Sequence, residues 1–240
     1  MQDAGGSKSV WVGKLTRREF RERRLRGELS VCLIPVAATE QHLEHLAMEH
    51  DYRSCLYVAE QIALRLTPHV AVAPLMHVGI SEHHMKHPGT LTASPGSWIG
   101  VVWDGVRSAV EAGFDHVIVL NGHGGNIAPM EGVWSQFLQR YEANLFFKSY
   151  WEFVDPDFAH ACLETGRFPG HAQEFETAIA MAIFPENVRM EAISDQVDQE
   201  PRVATAEAGQ KILDHLLEKG GQFVDSVRRN EIKAEIPPFH

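Results

Sequence analysis

Four apolar runs of strand length divide the chain, at 30–38, 69–78, 116–122 and 144–151. They are near-continuous rather than alternating, which is the pattern of strands buried on both faces. Helix-like stretches separate them, at roughly 51–66, 97–113 and 127–142, and two more follow at about 172–184 and 203–218. This rhythm predicts an α/β fold with a parallel or mostly parallel sheet covered by helices on both faces. Upstream, Thr16 with Glu19 three residues on has the form of a capping box and predicts an Arg-rich helix over 16–28. Residues 1–9 are polar and Gly-rich and read as a loose terminus; the tail from Glu235, with two prolines, reads as extended. No repeat or low-complexity linker interrupts the pattern, so 1–240 reads as one domain.

The rhythm also makes a positional prediction. In open α/β sheets, ligands bind beyond the carboxyl ends of the strands. Glu40 and His42 follow the first run. His77, His83 and His84 follow the second, Asn121 to Asn126 close the third, and Trp151 and Glu152 close the fourth. The strand beginnings carry only His69 and His116, so metal-capable side chains gather at one edge of the sheet.

Composition narrows the class. A chain of 240 residues with 44% hydrophobic and 22% charged residues can bury a sizeable core. A net charge of −10 argues against nucleic-acid binding and makes the Arg-rich helix a solvated face rather than an anion site. More than half of the 14 His lie between His42 and His87, a hint of metal chemistry. The three Cys form no CxxC and no disulfide framework, and no run approaches the roughly 18 apolar residues of a membrane helix. A cytoplasmic protein with no membrane partner is expected.

Three segments carry the chemistry. The first, TEQHLEHLAMEHD at 39–51, holds three His and four acidic residues, the donor types that bind Zn²⁺, Mn²⁺ or Fe²⁺. Glu40 and His42, two apart, share a side if the chain is extended, and Asp51 stands where a helix begins and can bridge two metals. Glu44, His45, Glu49 and His50 read as supporting or surface residues. The second, NGHGGN at 121–126, makes a sharp Gly-rich turn around His123 and lacks the Lys-Ser/Thr of a phosphate loop. In the third, GHAQEFET at 170–177, Glu176 shares a helix face with Ala172, Ala180 and Ile183. Buried there without a positive partner, it would cost about 3–5 kcal/mol, and a metal ion would serve as that partner. Glu174 is expected near the site, and His171 can exchange a proton near neutral pH. His84 and His87, in the loop SEHHMKHPGTLT, are candidates for substrate contact. No GxSxG elbow is present, and Cys32 in a strand and Cys55 in a helix are poorly placed nucleophiles.

Taken in order, TEQHxxHL, the Asp51 position, a PGT loop, NGHGGN and GHAxxFET resemble the creatininase superfamily of metal-dependent amidohydrolases over about residues 30 to 185. The resemblance implies a three-layer α/β/α sandwich, two divalent metal ions (Zn, Mn or Fe) at the strand ends, and a trimer or hexamer. It makes Glu40, His42, Asp51 and His123 metal ligands, with Asp51 bridging, and His171 the proton-transfer histidine. Two departures stand out. Creatininase carries a ligating Glu where this chain has Gly125, leaving Glu176 to complete the second metal. Many relatives read EHxxFPGT where His83 and His87 replace Glu and Phe. The aromatic residues that pack on creatinine have no secure match, Trp151 being the one candidate, so another small substrate is expected. The reaction implied is hydrolysis of a small, often cyclic, amide or formamide, with His171 and Glu174 in proton transfer and His84, His87 and Trp151 at the substrate. Ring opening of a polyhydroxylated cyclic ketone is the alternative, and a non-catalytic metal-binding protein is a third.

Overall fold

The computed structural model describes residues 9–238; nearly all of the expected loose N-terminus and the last two residues of the tail lie outside the described residues. The elements run α1 (Arg17–Leu25), β1 (Val31–Val36), α2 (His50–Arg65), β2 (Val70–Val72), α3 (Pro95–Glu111), β3 (His116–Asn121), α4 (Ile127–Arg140), β4 (Asn144–Ser149), α5 (Pro156–Cys162), α6 (Glu174–Ile183) and α7 (Ala206–Arg228). The four strands pair in parallel in the order β2-β1-β3-β4.

Strand alternation sorts the core into two sides of this sheet. Val31, Leu33, Ile118 and Leu120 pack with residues of α2, α6 and α7. Cys32, Ile34, Val36, Val117 and Val119 pack with α3 and α4. The result is the expected α/β/α sandwich with a buried parallel sheet. The chain leaves β1 toward β2 on one side, while β3 and β4 extend the sheet on the other. The crevice between the carboxyl ends of β1 and β3 is therefore a topological switch point, where such sheets bind ligands.

Several boundaries differ from the sequence expectation. The 69–78 run pairs as a strand only at Val70–Val72. Pro74 has no N–H for a ladder, and beyond it only scattered bonds remain, such as Met76 N–H to Pro35 O. Helix α7 runs to Arg228, through Gly220 and Gly221. A Cβ at Gly220 would meet Ile62 at 2.8 Å, so glycine there permits close packing on α2 rather than ending the helix. The capping box of α1 forms as read, with Thr16 accepting from the Glu19 N–H. Its arginines divide: Arg17, Arg18, Arg21 and Arg26 are exposed, whereas the buried Arg23 donates to Ser9 O and Pro68 O and pairs with Glu28.

No helix among the described residues is long and apolar enough to cross a membrane. All three cysteines are free.

Candidate metal centre

Four elements converge on the switch point. The segment after β1 brings Glu40 and His42, the first turn of α2 brings Asp51, the turn after β3 brings His123, and α6 brings Glu176. All five are buried; His42 is fully enclosed. Asp51 at a helix N-terminus and Glu176 in the first turn of α6 also gain from the positive ends of those helices.

The two imidazoles are held in matching ways. His42 Nδ1 lies 3.1 Å from the Glu40 carbonyl oxygen, which can only accept, so Nδ1 carries the proton. His42 Nε2 then faces Asp51 Oδ1 at 3.0 Å and Glu176 Oε2 at 3.7 Å. His123 Nε2 lies 3.0 Å from the Ile80 carbonyl, which fixes its proton there. His123 Nδ1 faces Asp51 Oδ2 at 3.0 Å and Glu40 Oε1 at 3.2 Å. Each ring is thus anchored by one nitrogen and turns the other onto carboxylate oxygens. The backbone anchors are the outer partners that metal-bound histidines characteristically have.

Charge balance shows what these pairs need. Burial opposes charge on His42, but Asp51 and Glu176 outweigh it and hold its pKa up at about 9. Burial likewise opposes charge on His123, and Asp51 and Glu40 outweigh it, to about 10. Burial raises Glu176 to about 7 against the pull of His42. It also opposes charge on Asp51 and Glu40, yet the histidines win and hold both below the usual carboxylate range. Three buried carboxylates require positive partners. Protons on His42 and His123 are one solution, and divalent cations are the other. The second fits better at the atomic level. Glu40 Oε2 and His42 Nε2 are buried with no aligned hydrogen bond, the Asp51 contact being close but misdirected. Carboxylate with imidazole is the donor set of Zn²⁺, Mn²⁺ and Fe²⁺. Donor atoms of His42, His50 and Glu176, and separately of Glu40, His83 and His123, lie within 4.8 Å of one another.

A cavity of about 610 Å³ opens over these residues, with His83, His84, Trp151, Pro169 and His171 on its walls. The His171 Nδ1 lies 3.7 Å from Glu40 Oε1, and its ring is 4.5 Å from that of His42. Burial, and then the charge of His42, push its pKa down to about 4. His84 and Trp151 reach the cavity as expected. His87 does not; it is exposed at the loop tip and absent from the walls.

Glu174 also departs from expectation. Its carboxylate is buried and accepts the backbone N–H groups of Glu164 at 2.8 Å and Thr165 at 2.7 Å. It clamps the 164–165 turn instead of lining the cavity. Glu174→Ala leaves two N–H groups without their acceptor. It is expected to cost on the order of 2–4 kcal/mol in urea unfolding while metal content is unchanged. Lost turnover at unchanged stability would instead give Glu174 a part in the chemistry.

Three further residues, none of them a ligand or catalytic candidate from the sequence, stand at the site. Gln41 bridges the cavity histidines: its amide nitrogen lies 2.9 Å from His84 Nδ1 and 3.0 Å from His171 Nε2, while its Oε1 accepts the Leu43 N–H. Strand alternation points Gln41 away from Glu40 and His42. The chain turns instead, with Leu43 at φ 56, and all three side chains reach the centre. His50, read as supporting or surface, is fully buried, with Nε2 4.0 Å from Glu176 Oε1. His83 stacks on His123 with ring centroids 5.9 Å apart. The crowding of histidines between His42 and His87 was the available signal for the last two.

Known proteins share this arrangement of fold and sequence. The creatininase family model, described as creatinine amidohydrolase, matches residues 13–203. A creatinine amidohydrolase of Pseudomonas putida is 31% identical over 205 residues, covering 79% of this chain and 77% of that protein. A 3-dehydro-scyllo-inosose hydrolase of Thermotoga maritima is 27% identical over 197 residues, 80% of this chain and 61% of the relative. A mycofactocin precursor peptide peptidase of Mycolicibacterium smegmatis is 29% identical over 170 residues, 69% of this chain and 63% of the relative. The chain thus spans less than two thirds of the length of these last two. A crystal structure of creatinine amidohydrolase superposes with a TM-score of 0.79 at 26% identity, over 92% of this chain and 98% of that one. A manganese creatininase (TM-score 0.78, 26% identity, 96% and 100% covered) and a Zn-Zn mutant creatininase (0.78, 25%, 97% and 100%) are similar as well. The fold, the matched length and the relative above 30% identity agree: the chain belongs to the creatininase family of metal-dependent hydrolases.

Proposed function

We propose that the chain is a two-metal hydrolase acting on the carbonyl of a small, uncharged substrate, a cyclic amide or a formamide. The observation that carries this reading is Asp51, whose two oxygens each lie 3.0 Å from a different imidazole nitrogen. With Asp51 shared between them, His42 with Glu176 and His123 with Glu40 would hold two divalent cations. Divalent ions bound there would supply the charge that polarises a carbonyl oxygen and acidifies water.

The remaining work falls to side chains of the cavity. Because the Leu43 N–H holds Gln41 Oε1, the Gln41 amide must donate to both histidines. His171 is then neutral with its proton on Nδ1, toward Glu40, and its lone pair on Nε2. The Nδ1 N–H is available to the leaving atom, and the Nε2 lone pair can take the proton that the attacking water loses when it exchanges its bond from Gln41 for that proton. His84 is fixed as the opposite tautomer, with its N–H at Nε2. Trp151 forms an apolar wall. Among the described residues, the cavity has no Lys or Arg on its walls, so apart from the cations of the centre no fixed positive side chain is in place to pair with a substrate carboxylate or phosphate.

A second reading has one observation in its favour. His83, His84 and His171 put several imidazoles along one rim, suited to the hydroxyls of a polyhydroxylated cyclic ketone, which would be opened by hydrolysis of a C–C bond. Assembly into a trimer or hexamer belongs to the proposal through the family resemblance.

Zinc titration of the metal-free protein tests the centre. His42 and His123 carry protons well above neutrality, and ligation must displace them. Calorimetry at pH 7.5 in buffers of different ionisation enthalpy should count two ions per chain and about two protons released. Fewer than two ions would sink the two-metal reading. A panel of lactams, formamides and cyclic polyhydroxy ketones then separates the substrates, with turnover of ketones alone favouring the second reading.

A further inference from the structure

The turn at 80–84 packs against His123. Ile80 O and Ser81 Oγ lie 3.0 and 3.2 Å from His123 Nε2, and the His83 ring lies nearly parallel to that of His123, at 9°. Donor atoms of His83, Glu40 and His123 all lie within 4.8 Å of one another. Glu40 Oε2, in the same cluster, is buried without a hydrogen-bond partner. Opposite them, position 125 has no room for a side chain. A Cβ at Gly125 would lie 2.2 Å from Ile80 O, 2.5 Å from His123 Nε2 and 3.0 Å from His83 Cε1. The 80–83 turn occupies the space beside His123 that a side chain at 125 would need.

We propose that His83 is a ligand of the ion at the His123 end of the centre, joining His123, Glu40 and Asp51. The inference rests on the two-metal reading above. Two donors on one ion can be at most about 4.2 Å apart, twice a bond of about 2.1 Å. His83 is exposed, so its ring is the member free to close the difference. The consequence is an asymmetric centre. The His123 end holds two imidazoles and two carboxylates, whereas the other end has Glu176, His42 and the second oxygen of Asp51 as its firmest donors. Imidazole-rich sites favour zinc over manganese, so the His123 end holds zinc more tightly and discriminates more strongly against manganese.

The test follows metal rather than turnover. Zinc-loaded full-length protein is titrated with a chromogenic chelator as wild type, His83→Ala, His83→Gln and His87→Ala. Removal of His83 is expected to weaken one of the two zinc ions by more than the roughly 10–100-fold that loss of an outer partner costs, leaving the other and the His87→Ala protein unchanged. The Co²⁺-loaded His83 variants should also show an altered visible spectrum. His83 is exposed, and a melting curve matching wild type confirms that the variants are folded. Unchanged zinc retention and cobalt spectrum in both His83 variants would overturn the inference. If the wild type holds fewer than two ions, the two-metal reading fails separately. The His83 variants must still weaken an ion that remains, or this inference falls with it.

Discussion

Asp51→Asn is expected to strip both metal positions at once and to lower turnover to below about 10⁻³ of wild type, since loss of even a single stabilising group at a reacting oxygen costs about 10²–10³. Asparagine preserves the volume and the helix start but carries one acceptor oxygen and no charge. It can face His42 or His123 with that oxygen, not both. Oδ1 and Oδ2 now serve one imidazole each, at 3.0 Å. With Asp51 neutral, Glu176 alone remains beside His42 and Glu40 alone beside His123, so the affinity of each half falls together. The single-ligand variants His42→Ala and His123→Ala should each lose one ion preferentially. Metal analysis after dialysis distinguishes these patterns. Two ions retained in Asp51→Asn, with turnover within about tenfold of wild type, would remove Asp51 from its bridging role.

The sequence shows the sheet and its functional edge because both follow from local pattern. Continuous apolar runs mark buried strands, and the polar residues immediately after them mark the carboxyl edge. Glu176 was legible because a carboxylate on an apolar helix face demands a partner. What stayed hidden depends on turns and on backbone accounting. Gln41 reaches the cavity only because the chain turns at Leu43, which alternation does not foresee. Glu174, two residues before Glu176, reads in the sequence as the next residue near the site. Its fate is set by two N–H groups at Glu164 and Thr165 that nothing local announces. The helix Pro156–Cys162 went unread because its seven residues are too short to show a period.

His171 is where position and charge state meet, and its replacement should separate chemistry from metal binding. His171→Gln is expected to retain both ions while kcat falls by about 10²–10⁴, the usual worth of a positioned proton-transfer group. The pH dependence is the sharper readout. Burial and the charge of His42 push the His171 pKa down to about 4, so the ring is neutral at pH 7 and loses its lone pair only as pH falls toward that value. Cations in the centre act in the same direction as the His42 charge, so loading the metals keeps it low. The acid limb of kcat in the metal-saturated wild type should therefore lie well below the ordinary histidine range, and the residual activity of His171→Gln should lack it. Metal loss produces an acid limb as well, because His42 and His123 take up protons as pH falls. Measuring at two zinc concentrations tells them apart, since only the metal-loss limb moves with zinc. A zinc-independent limb near pH 6.5 that survives in His171→Gln would assign the titrating group to another residue.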